Sequence, residues 1–431
     1  MKTSITLADR VRDLPRDDSS PGMLARGLEN LAERGLRARF ARLEHGLITL
    51  IDGGRRETYG HATPRCALHA TLHIRDRRAY AEVAFGGSVG AGESFMAGDW
   101  TADDLTALVR ILLVNRGVLD GMDGGWSRMA ELTRRVLHAA ARNTRAGSRR
   151  NITAHYDIGN DFFELFLDPT MMYSCAVFER DDMTLEQAQI AKLERLCRKL
   201  DLKPGDHLLE IGTGWGALAL HAARHYGCRV TTTTISREQH ALARQRIDDA
   251  GLADRITLRL DDYRDLDGRY DKLVSVEMIE AIGHQYFDTF FARCSELLVP
   301  GGTMVLQAIT IDDRLYESAR DSVDFIKRHI FPGCCIPSVT ALAQSMSQAS
   351  TLRIVDLEDI GPHYATTLAA WRRNLFNNAG HVRARGYPEA LLHMWHFYLS
   401  YCEGGFAERT LGDVQMVLRE SSAPGFPAPR V

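Results

Sequence analysis

Hydrophobic positions in the second half of the chain alternate between two rhythms. LLEIG, CRVTTTTIS, ITLRLDD, YDKLVSVE and TMVLQAITI are short, apolar and rich in β-branched residues, the pattern of buried strands. Between them, ALALHAARHY and REQHALARQRIDDAG repeat at the spacing of amphipathic helices. Such alternation predicts an α/β fold with a parallel, doubly wound sheet. LRIVDLEDIG and GDVQMVLRE add two strands at one edge, making seven.

The first part of the chain has a different pattern. From about Gly22 to Gly98 it is short and strand-like, with turns at Asp52-Gly53-Gly54 and Phe85-Gly86-Gly87. ALHATLHIRD and AYAEVAF alternate as half-buried strands do, while DDLTALVRILLVNR and the stretch from Trp126 to Arg142 carry helical periodicity. A smaller α+β domain is therefore expected over residues 1–148, ahead of the doubly wound domain at 149–431. The length of 431 residues favours two domains over one.

Charge changes the picture locally rather than globally. A formal charge of -3 gives no argument for nucleic acid. Residues 134–150, however, hold Arg134, Arg135, Arg142, Arg145, Arg149 and Arg150 with no carboxylate among them. Each such charge is worth about 1 kcal/mol near an anionic lipid surface. A solvated helix end and linker explains the segment equally well. LTALVRILLVNRGVL is interrupted by Arg110 and Arg116 and is too short to span a bilayer. MKTSITLADRVRDLPRDD has charges where an export signal needs an apolar core. Eight scattered cysteines without a CxxC pair suit a reducing, cytoplasmic setting. His155 and His363 have no partners at metal-ligand spacing, so no metal is expected.

The most informative turn is EIGTGWGALAL, where Gly212, Gly214 and Gly216 follow a strand and lead into a helix. Glycines there let a ligand approach the backbone, and the helix N-terminus offers free N–H groups. The spacing is GxGxG with Glu210 ahead of it, and the next strand ends in Thr234-Ile235-Ser236 followed by Gln239. A dinucleotide fingerprint would place GxGxxG here and an acidic residue at the second strand's end. A carboxylate at Glu210 instead suits the cationic amino acid group of S-adenosylmethionine. At the third strand's end, Asp262 can accept from an adenine amino group and Tyr263 can stack on the ring, unless the pair is a polar strand end with an edge aromatic. Together these features favour a class I methyltransferase domain.

At that point the residues resemble a family. HYDIGNDFFELFLDPTMMYSC, EIGTGWG, TISREQ, DDYRDL, SVEMIEAIG, HYATTL and CEGGF resemble successive motifs of the cyclopropane-fatty-acyl-phospholipid synthases and the related mycolic acid cyclopropane synthases, over nearly the whole chain. The resemblance implies that a cis double bond in a phospholipid acyl chain attacks the methyl group of S-adenosylmethionine. The resulting carbocation then loses a proton from the new methyl as a cyclopropane closes. It also implies a bound bicarbonate ion as base, held by Glu280, Tyr364, Cys175 and the LQAI segment around Gln307 and Ile309. Glu280 would accept from the ion's hydroxyl and Tyr364 would donate to it.

Gln307 stands where members of the family carry histidine, and Thr213 replaces a frequent cysteine. Glu277 and Glu280 are three apart and could share a helix face, or Glu277 could simply end a strand. The resemblance places Tyr173 and Ser174 against the cofactor. Phe162, Phe163 and Phe166 either line or buttress an acyl channel, or are plain helix packing. Cys402 is either a neighbour of the pocket or a small buried hydrophobe. Transient contact with the inner face of the membrane and a homodimer are further implications. The competing outcomes are a methyl-branched lipid or a methylated small soluble acceptor.

Overall fold

The computed structural model describes residues 23–119 and 158–420. The helix expected from Trp126 to Arg142, the arginine-rich segment 134–150 and His155 lie outside the described residues. The chain forms two compact units that are not contiguous in sequence, so they do not follow a single cut at 148/149. The first joins residues 23–119 to Asp321–Pro332 and Trp371–Thr410; the second comprises residues 158–320, Gly333–Ala370 and 411–420.

In the first unit, β1 (Gly46–Asp52), β2 (Arg55–His61), β3 (His69–Ile74) and β4 (Trp100–Ala102) form a sheet in the order β2-β1-β3-β4. β1 and β2 are an antiparallel hairpin whose turn places Gly53 and Gly54 at φ of 53° and 88°. Two successive positive φ angles match the twist of a tight hairpin, and glycine adopts them without steric cost. AYAEVAF is not a strand: it opens the helix Arg78–Ala97. Alanine, glutamate and phenylalanine are compatible with helix, and the Gly86-Gly87 pair only kinks it, Gly87 standing at φ 56° and ψ -140°. The helix continues because Tyr80, Val89, Phe95 and Met96 bury into the core. Gly92 lies where a Cβ would sit 2.2 Å from the Phe325 ring, so glycine is required there.

The second unit contains β5 (His207–Ile211), β6 (Arg229–Thr233), β7 (Ile256–Arg259), β8 (Tyr270–Val276), β9 (Leu298–Ile311), β10 (Leu352–Asp359) and β11 (Leu411–Glu420). Their order is β10-β11-β9-β8-β5-β6-β7, parallel except for β11, which runs antiparallel to both neighbours. This is the expected seven-stranded doubly wound sheet, with the last two strands at one edge. Period-two alternation divides β5, β8, β9 and β11 between two cores. Leu209, Leu273, Met304 and Leu306 face the helices Phe287–Leu297 and Val339–Ala349, together with Phe290 and Phe291. Leu208, Val230, Val274 and Val305 face Leu185–Leu200, Ala217–Tyr226 and Arg237–Asp249.

Candidate active site

The chain leaves β5 toward β6 and β7 on one side and returns to β8 on the other. The carboxyl ends of β5 and β8 therefore flank the crevice where open α/β sheets bind ligands. Gly212, Gly214 and Gly216 leave β5 there at φ of 102°, 53° and 89°. A Cβ on Gly214 would meet no atom within 4 Å, so the loop offers bare backbone to open space. Helix Ala217–Tyr226 starts immediately afterwards, and helix N-termini favour polar and anionic groups.

Glu210 is buried at the end of β5 and accepts from the Thr232 hydroxyl at 2.6 Å; that hydroxyl also pairs with Thr213 at 2.6 Å. Burial pushes the Glu210 carboxyl up to about 8, despite the Thr232 bond and the charge of Lys192. An incoming ammonium group would supply the counter-charge this position lacks. At the end of β6, Thr234 donates to the Gln239 side chain at 2.8 Å, and Ser236 caps the next helix, with half-buried Ile235 between them. A glycine cradle, a buried carboxyl and these polar strand ends fit S-adenosylmethionine.

The end of β7 is arranged differently from the sequence expectation. Arg264 clamps Asp262, Nε donating to Oδ1 at 2.8 Å and Nη2 to Oδ2 at 2.7 Å. The Tyr263 ring is in the core, 5.7 Å from Phe290, with the Arg264 guanidinium 5.5 Å from its centroid. Its apolar surface is thus spent on packing rather than presented as an open stacking face.

The stretch that begins at Ile158 covers the glycine loop. Trp215, inside that loop, donates from Nε1 to Asn160 Oδ1 at 2.8 Å and packs 5.1 Å from Phe163. Arg246 reaches across to the carbonyls of Thr170 and Trp215, each at 3.0 Å. Phe162, Phe163 and Phe166 are fully buried, packing on one another, while Tyr173 lies 5.4 Å from Phe163. The three phenylalanines therefore buttress the loop from within. Ser174 accepts from the Lys192 ammonium at 2.7 Å.

The chain then reaches Cys175, whose backbone N–H donates to Glu277 Oε1 at 2.8 Å. Gln307 Nε2 donates to the same oxygen at 2.7 Å, and the Tyr364 hydroxyl donates to Oε2 at 2.7 Å. Gln307 is itself oriented by Gln415, whose amide donates to Gln307 Oε1 at 3.0 Å. Glu277 sits one residue beyond β8 at φ 48°, an unusual conformation for a non-glycine residue that costs about 1–3 kcal/mol. Its N–H donates to Gln307 O at 2.8 Å, which holds that backbone in place.

Buried groups surround this carboxylate. Glu280 accepts from the Ile309 N–H through Oε1, while Oε2 is buried without a hydrogen-bond partner. Burial, reinforced by the negative charge of Glu277, pushes Glu280 up to about 8. Burial and the same neighbour hold Asp413 well above the carboxylate range, and burial likewise raises the Cys175 thiol. Lys192 is pushed down to about 8 by burial, partly offset by Glu277. Burial and like-charge repulsion in so small a volume both act to keep Glu280 and Asp413 neutral.

Cys175, Gln307 and Tyr364, expected to bind bicarbonate, are thus gathered around Glu277, while Glu280 and Ile309 pair with each other. A bicarbonate ion does not fit this arrangement, because the donors that would hold it are engaged by the protein's own carboxylate. Cys402 is half-buried on helix Glu389–Ala407 of the first unit. Sequence reasoning missed Lys192 and Asp413. Lys192 had a readable signal: it falls with Ala188, Gln189, Leu196 and Leu200 on the buried face of its helix. A lysine at such a position needs polar company.

Among the described residues, no group of side chains could hold a metal ion, and no helix is long and apolar enough to cross a membrane. Residues 143–416 match the family model described as mycolic acid cyclopropane synthetase. The chain is 38% identical over 412 residues to tuberculostearic acid methyltransferase UfaA1 of Mycobacterium tuberculosis, covering 94% of both chains. It is 36% identical to the cyclopropane-fatty-acyl-phospholipid synthase of Escherichia coli K12, covering 83% of this chain and 90% of that one. A crystal structure of mycolic acid cyclopropane synthase CmaA1 complexed with SAH and CTAB superimposes with a TM-score of 0.59 at 33% identity, covering 63% of this chain and 98% of that one. The chain therefore belongs to the mycolic acid cyclopropane synthetase family and is an S-adenosylmethionine-dependent methyltransferase.

Proposed function

We propose that this enzyme modifies the cis double bonds of phospholipid acyl chains and forms cyclopropane rings. The observation that carries the reading is the Glu277 side chain, gripped by three donors beside a glycine cradle at the sheet's switch point. A methylation that passes through a carbocation needs negative charge fixed in place before the cation forms. S-adenosylmethionine supplies an electrophilic methyl group.

An alkene is a weak nucleophile, so orientation is the main resource, worth up to about 7–11 kcal/mol when the reacting groups are held in line. The packed Phe162, Phe163, Phe166 and Trp215 rings give the loop over the site the rigidity that such alignment demands. Supporting the lipid substrate are the names of the relatives, which include a cyclopropane-fatty-acyl-phospholipid synthase and a probable fatty acid methyltransferase. The enzyme works in the cytoplasm, meeting the anionic inner face of the membrane peripherally, as a homodimer.

A methyl-branched product is the second reading, favoured by the likeness to UfaA1 across 94% of both chains. Methyl-labelled S-adenosylmethionine, incubated with the protein and phospholipid vesicles carrying cis-monounsaturated chains, separates the two. A product heavier by one methylene that resists mild hydrogenation of alkenes is the cyclopropane. An unsaturated, methyl- or methylene-bearing chain supports the second reading, and label confined to soluble small molecules overturns both.

A further inference from the structure

We propose that Glu277 is the base of this enzyme: its carboxylate takes the proton that leaves as the new ring closes, so that no inorganic ion is needed. The inference rests on the carbocation chemistry proposed above, and the geometry of Glu277 carries it beyond that reading.

Three N–H and O–H groups from separate parts of the second unit converge on this carboxylate. Cys175 N–H and Gln307 Nε2–H fill the two acceptor positions of Oε1, and the Tyr364 hydroxyl takes one on Oε2. A carboxylate has about four acceptor sites, and the side chain of Asp413 is also in hydrogen-bond contact with Glu277. Glu277 is only half-buried, whereas Gln307 and Asp413 are fully buried and Glu280 nearly so, which makes it the member of the cluster least enclosed by protein. The three donors also restrain the carboxylate and draw charge from it, which disfavours its collapse onto the cation as an ester.

An added oxyanion at the same donors would have to displace Glu277 or lie beside it. Two like charges about 4 Å apart repel by about 4 kcal/mol at an effective dielectric near 20. Among the described residues, the buried cation that acts on Glu277 is Lys192, which already donates to Ser174. The left-handed backbone at Glu277 is maintained despite its cost, and it is this conformation that carries the side chain back into the donors.

The step balances without any co-reactant. The double bond forms one C–C bond to the methyl carbon as its bond to sulfur breaks, leaving the thioether and a cation on the neighbouring chain carbon. Glu277 Oε2 then removes a proton from the transferred carbon, and the released C–H electron pair closes the second C–C bond. Glu277, now protonated and half-exposed, returns the proton to water before the next turnover.

The test uses the full-length protein in buffers purged of carbon dioxide, with labelled S-adenosylmethionine and vesicles of cis-monounsaturated phospholipid. Wild-type turnover should be indifferent to added millimolar bicarbonate, and carbon-13 bicarbonate should show no protein-bound signal. Glu277→Gln should lower kcat by about 10²–10⁴-fold, the span of a general base, while still binding S-adenosylhomocysteine. Glu277→Gly, which suits the positive φ and opens the donors, should bind carbon-13 bicarbonate and regain turnover when the ion is supplied. A wild-type rate that rises with bicarbonate, a bound carbon-13 signal on the wild type, or an unimpaired Glu277→Gln overturns the proposal. Vesicles left unmodified by the wild type under every condition would instead remove the lipid reading, and the carbon-13 measurement would still decide whether an ion occupies the donors.

Discussion

At neutral pH burial keeps two acids of the second unit, Glu210 and Glu280, in the neutral form. Glu210 and Glu280 have folded values of about 8 against 4.5 for the free side chain, so both are largely protonated. Such groups stabilise the fold fully below about pH 4.5, and that contribution is lost as pH rises through about 8. Lys192 has the opposite sign: lowered to about 8 from 10.5, it favours the fold above about 10.5, and that contribution is lost as pH falls through about 8. Between about pH 6.5 and 8 the carboxyls govern, and the thermal midpoint should fall as pH rises; below about 6.5 His396, pushed down to about 4 by burial, acts in the opposite direction. Glu280→Gln, which mimics the protonated acid, should flatten that decline in a melting series, and it should cost turnover far less than Glu277→Gln does. Glu277 was only half legible. Sequence alone presents it as a strand end or as a helix-face partner of Glu280, since neither its positive φ nor the convergence of Cys175, Gln307 and Tyr364 leaves a local mark. The glycines at 212, 214 and 216 are readable because their conformation itself demands the residue type.

The central strands of the second unit are legible because they bury both faces in a mostly parallel sheet, which leaves short apolar runs between amphipathic helices. AYAEVAF misleads for a physical reason: seven residues of alternating apolar character fit one face of a strand and also the start of a helix, and only the packing of Tyr80, Val89 and Phe95 selects the helix. Helix Leu185–Leu200 links fold stability to the site, because it carries Lys192 to Ser174. Its start is fixed by a capping box, with Thr184 Oγ1 accepting from Gln187 N–H at 3.2 Å and Gln187 Oε1 accepting from Thr184 N–H at 2.9 Å. Thr184→Ala should lower unfolding free energy by about 1 kcal/mol in urea titrations, with little change in the slope of the transition.

Vesicle flotation tests the membrane reading for the whole molecule. The full chain should float with anionic vesicles at low salt and remain in solution at high salt, since headgroup attraction is screened within about 8 Å at physiological ionic strength. Flotation that ignores both salt and lipid charge would remove the arginine segment from the account. The division into units was the least legible feature, because hydrophobic patterning along a chain reports local elements and says nothing about which distant segments share a core. Helix Glu389–Ala407 belongs to the first unit, where Phe397 packs 5.9 Å from Phe95 and 6.4 Å from Trp100. Gly404 in the same helix lies where a Cβ would come within 2.6 Å of Val109. During synthesis on a ribosome, Phe95 and Trp100 must therefore wait for the far downstream helix Glu389–Ala407 to emerge before their interior can close. Until then Phe95 and Trp100 lack the partners that shield them, which makes the nascent chain a client for holding chaperones.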